Sequence, residues 1–213
     1  MINTFTTNFE FTSNAYKANK ILNKYIKDTP IGCDFETASK YSDEERKSSD
    51  NPAIRNSHGL SHPSIATVTH LSIATSPDFG FVFINDNKHI NNLIFNFLVN
   101  TEVLQIYHNA PFDLYHILYN TGRLPKNWEC TRLLAKARLN HADSSKALVG
   151  LKKLQGHNYG KWSIADELSF TRENMYNPAM LQYAAIDAMA CLNEYLTHQS
   201  TSTTTDIITD IEF

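Results

Sequence analysis

The chain is predicted to fold as an α/β or α+β domain, a sheet covered by helices, because strand-like patterns come early, helical patterns come late and the two partly alternate. The strand-like runs are residues 31–35 and the pair SIATVTHLSIAT and FGFVFI. The helical runs culminate in PAMLQYAAIDAMACLNEYL near the C-terminal end. With 213 residues, 42% hydrophobic and 19% charged, the chain has enough apolar material for one core of ordinary size.

Residues 14–27 place Ala15, Ala18, Ile21, Leu22 and Tyr25 at close to helical spacing, an amphipathic helix. A strand follows at 31–35. Residues 38–64 are polar and mixed in charge, too long and too weakly patterned for a simple turn, and read as an insertion. The next two apolar runs form a hairpin with Ser76, Pro77 and Asp78 as turn residues. Residues 91–98 are helical and 103–107 a short buried strand. Pro111 opens a helix that stops at Gly122 and has Asn109 or Ala110 near its cap. Two further helices are expected at 131–139 and 145–154, the second stopped by Gly156. Asn177 and Pro178 start the last helix, as a capping side chain followed by a proline at the first helical position. From Gln199 onward the composition is rich in Ser and Thr, and 199–213 is expected to be a disordered tail.

No apolar run reaches the roughly 20 residues of a membrane span, and the first residues lack a secretory pattern, so a cytoplasmic protein without membrane contact is expected. Cys33, Cys130 and Cys191 are odd in number and lack metal-cage spacing; they are read as reduced core residues. The net charge of −3 argues against a protein that coats nucleic acid indiscriminately. Its distribution is uneven, however. Residues 121–161 carry nine Lys or Arg against Glu129 and Asp143, a local charge of +7. That segment is either a solvated helix face or a surface that follows phosphates.

Three acidic sites stand out. In IGCDFETAS, Asp34 and Glu36 are two apart on a strand and project to one face, with Cys33 and Phe35 on the other. In YHNAPFDLYHIL, Asp113 lies four after Asn109 in a first helical turn, where an acid also suits the helix dipole. In YAAIDAMACL, Tyr183 and Asp187 share a helix face among alanines, a setting too apolar for a solvated acid. Each site alone has an ordinary structural explanation. Together, four carboxylates on separate elements fit a pair of divalent cations held by oxygen ligands, as used for in-line displacement at phosphorus.

D-x-E, HNAPFD and YAAID, in that order, resemble the motifs of the DEDDy group of DnaQ-like 3′→5′ exonucleases, nearest to the proofreading domain of bacterial family A DNA polymerases (DNA polymerase I). The likeness covers residues 8–198, and residues 1–198 are taken as one exonuclease domain. It implies a ribonuclease-H-like fold with a five-stranded mixed sheet flanked by helices. It also implies Mg²⁺ or Mn²⁺ ligands at Asp34, Glu36, Asp113 and Asp187, with the Tyr183 hydroxyl orienting the attacking water. Substrate contacts would fall to Thr37, His108, Asn109 and Phe112, with Tyr41 stacking on a base where the polymerase proofreaders carry an apolar wedge. The implied activity is release of nucleoside monophosphates from 3′ ends of single-stranded DNA, with a separately encoded DNA polymerase as a partner. Two alternatives stay open: an RNase D-like exoribonuclease, since motifs do not reveal recognition of the 2′-hydroxyl, and a nucleic-acid-binding module that has lost the chemistry. His58 and His62 are four apart, but Gly59 and Pro63 oppose a helical metal pair.

Overall fold

The computed structural model describes residues 5–26, 29–55, 62–138, 149–160, 162 and 171–206. Six strands form one mixed sheet: β1 (Asn8–Thr12), β2 (Ile31–Ser39), β3 (Ala66–Ser76), β4 (Phe79–Ile84), β5 (Gln105–Tyr107) and β6 (Trp128–Cys130), in the order β1-β4-β3-β2-β5-β6. The pairs β2–β3 and β3–β4 are antiparallel, whereas β1–β4, β2–β5 and β5–β6 are parallel. The expected class is therefore observed with one strand more than the five expected. The addition is β1, which lies along the outer edge of β4. Of its five residues only Thr12 is buried, so no period-two pattern of burial marks it in the sequence.

The period of two in β2 sorts the molecule into two layers. Cys33 and Phe35 point into a core shared with α1 (Ala15–Tyr25), α4 (Lys88–Asn100) and α5 (Pro111–Thr121), where Phe35 meets Phe95 edge to face at 5.7 Å between ring centres. The opposite face is covered by α8 (Pro178–Asp206), whose Leu181, Ala184, Ala185, Ala188 and Leu192 pack on Ala74, Val82, Ile84 and Ile106. Helix α8 lies so close that a Cβ at Gly32 would fall 2.1 Å from the Ala188 carbonyl oxygen. Gly32 and the alanines of α8 thus let a helix rest directly on the strand that carries the first two acids. All three cysteines are buried and free.

Local signals place most helix ends. The Asn14 side chain accepts from the Lys17 N–H at the start of α1, and Asn87 accepts from His89 and Ile90 at the start of α4. Gly122, left-handed at φ 69°, ends α5 as expected. Gly156 does not end a helix. It lies inside α7 (Leu151–Tyr159), and Gly160 at φ 72° forms the end instead, while residues 145–148 of the expected start lie outside the described residues. Helix α6 (Thr131–Arg138) is as expected. The 38–64 segment is not a plain loop: it completes β2 and then forms α2 (Asp43–Ser48), with a capping box of Ser42 and Glu45, and α3 (Pro52–Arg55). His58 lies outside the described residues, whereas His62 bonds to Ser64 and to the Tyr115 hydroxyl, so the two do not form a described pair. Helix α8 continues to Asp206, eight residues into the segment whose composition suggested disorder. The Thr197, Ser200 and Thr201 hydroxyls bond back to carbonyls three or four residues earlier, so these residues hydrogen-bond along the helix rather than leave it. Residues 207–213 of the expected tail lie outside the described residues. No helix among the described residues is long and apolar enough to cross a membrane.

Candidate active site

Carboxylate oxygens of Asp34, Glu36 and Asp187 lie within 4.8 Å of one another. Strand β2 supplies the first two from its α8-facing side, and α8 supplies the third across the close contact at Gly32. A bulge between Glu36 and Thr37 shifts the register with β3 at this point, and Thr69 Oγ1 donates to the Glu36 carbonyl oxygen at 3.1 Å. Such bulges re-aim the residues beside them. Asp113 at the start of α5 reaches the same strand from the other layer: its Oδ1 accepts the Phe35 N–H at 3.1 Å, between the two acids. Asp113 is only 2% exposed and Asp187 8%. The four predicted acids therefore converge, three as a tight cluster and Asp113 hydrogen-bonded to the strand that holds two of them.

Burial holds all four carboxyls above the usual carboxylate range. Repulsion from Glu36, Asp187 and Asp113 adds to the shift at Asp34, and repulsion from Asp187 to that at Glu36. The site thus gathers carboxyls whose burial and mutual repulsion oppose ionisation, and oxygen-only donors of this kind suit hard divalent cations that would offset that cost. Cations compete with protons for these groups, so metal binding is tied to pH. Groups whose folded-state pKa is raised stabilise the fold fully below the unfolded value of about 4. That contribution is lost as pH rises through the folded values. The rise in melting temperature produced by saturating Mg²⁺ or Mn²⁺ is therefore expected to grow as pH rises above about 4. Thermal melts with and without cation at three pH values check this; an increment independent of pH would contradict it.

Two residues outside the predicted motifs complete the site. Trp162, buried at 7% exposure, donates its indole N–H to Asp187 Oδ1 at 2.7 Å. Lys152 on α7 donates to the Tyr183 hydroxyl at 2.5 Å and stands 4.2 Å over its ring. Its charge also opposes the upward shifts of Asp34, Glu36 and Asp187. Tyr183 hydrogen-bonds to Asp187, and burial together with the neighbouring acids holds its phenol well above the usual range, so it remains a neutral hydroxyl. Trp162 has no sequence signal of its own. The signal for Lys152 was the basic bias of 121–161, within which Lys126 pairs with Glu102, Arg132 bonds to Asn109 and Arg138 pairs with Glu194.

A cavity of about 420 Å³ opens on the cluster, and Asp34, His108, Leu151, Lys152, Lys153 and Asp187 are among its lining residues. His108 accordingly reaches the site, its Nδ1 on Thr131 Oγ1 at 2.9 Å, and burial and the charge of Arg132 lower its pKa to about 4, so it is neutral at physiological pH. The other expected substrate contacts do not line this cavity among the described residues. Thr37 is buried just past the bulge opposite Val68. Asn109, left-handed at φ 65° rather than helical, accepts from Arg132 at 2.7 Å. Phe112 packs on the core and on the His116 ring, and the Tyr41 N–H donates to Ser39 Oγ. Lys40, next to Tyr41, is tied to the Pro63 carbonyl and lies over the Tyr119 ring.

No family model matches the chain. No curated relative matches it either. Solved structures do share its fold. Brucella melitensis NrnC with bound Mg²⁺ aligns over 92% of this chain and 81% of its own, at 19% identity and a TM-score of 0.60. The catalytic core of RRP6 from Trypanosoma brucei aligns over 99% of this chain and 54% of its own, at 14% identity and a TM-score of 0.63. Escherichia coli RNase D, an exoribonuclease involved in structured RNA processing, aligns over 94% and 46%, at 11% identity and a TM-score of 0.55. The chain thus has the ribonuclease-H-like α/β fold of these nucleases, a mixed sheet flanked by helices.

Proposed function

We propose that the chain is a metal-dependent 3′→5′ exonuclease that hydrolyses single-stranded RNA ends and releases nucleoside monophosphates. The observation that carries the reading is the convergence of Asp34, Glu36 and Asp187, with Asp113 bonded to the backbone between the first two. Asp34, Glu36, Asp113 and Asp187 would hold Mg²⁺ or Mn²⁺. Bound there, two cations supply an activated water and stabilise the oxygen that departs from phosphorus. The chain's own residues then divide the remaining work. The neutral Tyr183 hydroxyl, fixed by Lys152 and Asp187, orients the water rather than deprotonating it. Trp162 fixes Asp187. His108 and Lys153, at the cavity wall, meet the terminal nucleotide, and Asn109 acts through Arg132. Thr37 and Phe112, each next to an acid in the chain, support the site from β2 and α5.

The choice of RNA rests on the neighbours: NrnC is also solved bound to pGG, and Trypanosoma brucei RNase D in complex with RNA U12. The DNA preference and the polymerase partner implied by the motif resemblance have no counterpart among the neighbours described above. Matched 5′-labelled single strands of RNA and DNA, incubated with Mg²⁺ or Mn²⁺, test the reading. RNA is expected to shorten stepwise from its 3′ end about tenfold faster than DNA, and EDTA to stop both. Faster loss of DNA would return the substrate to the proofreading class, and absence of cation-dependent cleavage would leave only a binding module.

Lys152 has a testable role of its own. Lys152→Met is expected to lower kcat about tenfold or more, as a charge-assisted hydrogen bond is removed from the water-orienting hydroxyl. Because Lys152 acts through Tyr183, the double variant with Tyr183→Phe should be no slower than the slower single variant. Additive losses in that cycle would show that Lys152 acts independently.

A further inference from the structure

A second cavity, of about 480 Å³, lies where β3 begins, β4 ends and the chain turns toward α8. Among the described residues it shares no lining with the catalytic cavity, yet it adjoins the catalytic strand. Thr69 in its wall donates to the Glu36 carbonyl, and Met175, also in its wall, is bonded through its carbonyl oxygen to His70 Nε2 at 2.7 Å. We propose that this cavity is a second nucleotide subsite, taking a nucleoside 5′-monophosphate unit with its base among carboxamides and its phosphate against Lys88 and Arg172. The proposal deepens the exonuclease reading and rests on it for the identity of the ligand.

The lining fits that ligand group by group. Asn85 Nδ2 donates to the Val68 carbonyl and to Asn91 Oδ1, each at 2.8 Å, which fixes both carboxamides. Asn85 Oδ1 and Asn91 Nδ2 remain as an acceptor and a donor with no partner among the described residues. Asn120 donates to the His116 carbonyl and keeps its own oxygen as a further acceptor. An oriented donor–acceptor set is what a nucleobase edge requires. Tyr176 adds a ring that is 52% exposed, suited to stacking. Neither Lys88 nor Arg172 has a carboxylate within ion-pair distance among the described residues; the charge of Arg172 is felt by the exposed neighbour Glu173, and both cations can still turn to a phosphate. The acid in the wall, Asp86, accepts from Tyr176 at 2.5 Å and from Asn87 at 2.6 Å, which fixes its carboxylate beside the ring. Asn87 Oδ1 caps α4, so the end of that helix is not the anion site.

The unit has two sources with the same chemistry, an upstream residue of the strand being degraded or a free nucleotide. Both are tested on the wild-type protein in EDTA, where no turnover occurs. AMP and UMP are titrated with detection of the Asn side-chain amides by NMR, and the affinities of 5′-labelled RNAs of two, four and seven nucleotides are measured. Shifts at the Asn85, Asn91 or Asn120 amides and about tenfold weaker nucleotide binding by Lys88→Ala/Arg172→Ala are expected. If the occupant is the strand, that variant also loses the gain in affinity from two to seven nucleotides. If it is a free nucleotide, the length series is unchanged while AMP binding weakens. Unperturbed amides together with unchanged affinities, or equal weakening at every RNA length with no loss of AMP binding, would overturn the subsite. Because binding is read without cleavage, failure of the hydrolysis assay with intact amide shifts would count against the exonuclease reading alone.

Discussion

Asp34→Asn is expected to abolish cation-dependent hydrolysis, with a fall in kcat of about a thousandfold or more, and at the same time to stabilise the metal-free protein. The first effect follows from removal of the strand carboxylate at the centre of the cluster, since several kcal/mol of cation-borne stabilisation of the transition state corresponds to about three decades in rate. The second follows from electrostatics. Asp34 is held above the usual carboxylate range by burial first and then by Glu36, Asp187 and Asp113, so its ionisation costs the folded state. The amide removes that cost. The gain in melting temperature is expected to grow as pH rises above the unfolded value of about 4 and to vanish below it, where the carboxyl is protonated in folded and unfolded chains alike. Paired single-turnover assays and thermal melts check both halves; a variant that loses activity and also loses stability above pH 5 would point to a structural acid.

Gly32→Ala is expected to cost about 3 kcal/mol of stability or more, and to reduce turnover about a hundredfold in the protein that remains folded. The added methyl would meet a backbone carbonyl, that of Ala188 at 2.1 Å, and the Leu192 Cβ at 2.9 Å. Backbone cannot swing aside as a side chain can, so α8 must lift from β2, and Asp187 moves with it, away from Asp34 and Glu36. For a chain of this size the melting temperature should fall by about 6–12 °C. Gly156→Ala is the control. A Cβ there meets nothing within 4 Å and the residue lies inside α7, so that change should stabilise by about 0.5–1 kcal/mol. Comparable melting temperatures for the two variants would show that α8 does not rest on Gly32.

What the sequence disclosed, and what it hid, follows from the range of each interaction. Period two in IGCDFETAS placed Asp34 and Glu36 on one face, because strand geometry is local and short. Alanines around Asp187 signalled a buried helix face for the same reason. Asn14, Asn87 and Gly122 stand at helix ends through contacts within four residues. Strand β1 escaped because its register is set by β4, some 70 residues away, and its side chains are mostly exposed. Gly156 misled because glycine ends a helix only where the backbone turns left-handed, and that turn falls at Gly160. Lys152 and Trp162 were hidden more deeply: each meets its partner across 25 to 31 residues through a side-chain contact that no periodicity encodes. Helical spacing put Asn109 and Asp113 toward one side, but a left-handed residue before the helix breaks that spacing, and the Asn109 amide oxygen accepts from Arg132.

The central claim is that the acids of β2, α5 and α8 form one centre for two divalent cations. Anomalous diffraction from crystals soaked in Mn²⁺ together with a nucleoside monophosphate measures this directly. Two peaks are predicted, both within coordination distance of Asp34, Glu36, Asp113 or Asp187 and with Asp34 touching each. Peaks confined to other surfaces, or none among these four residues at saturating Mn²⁺, would contradict it.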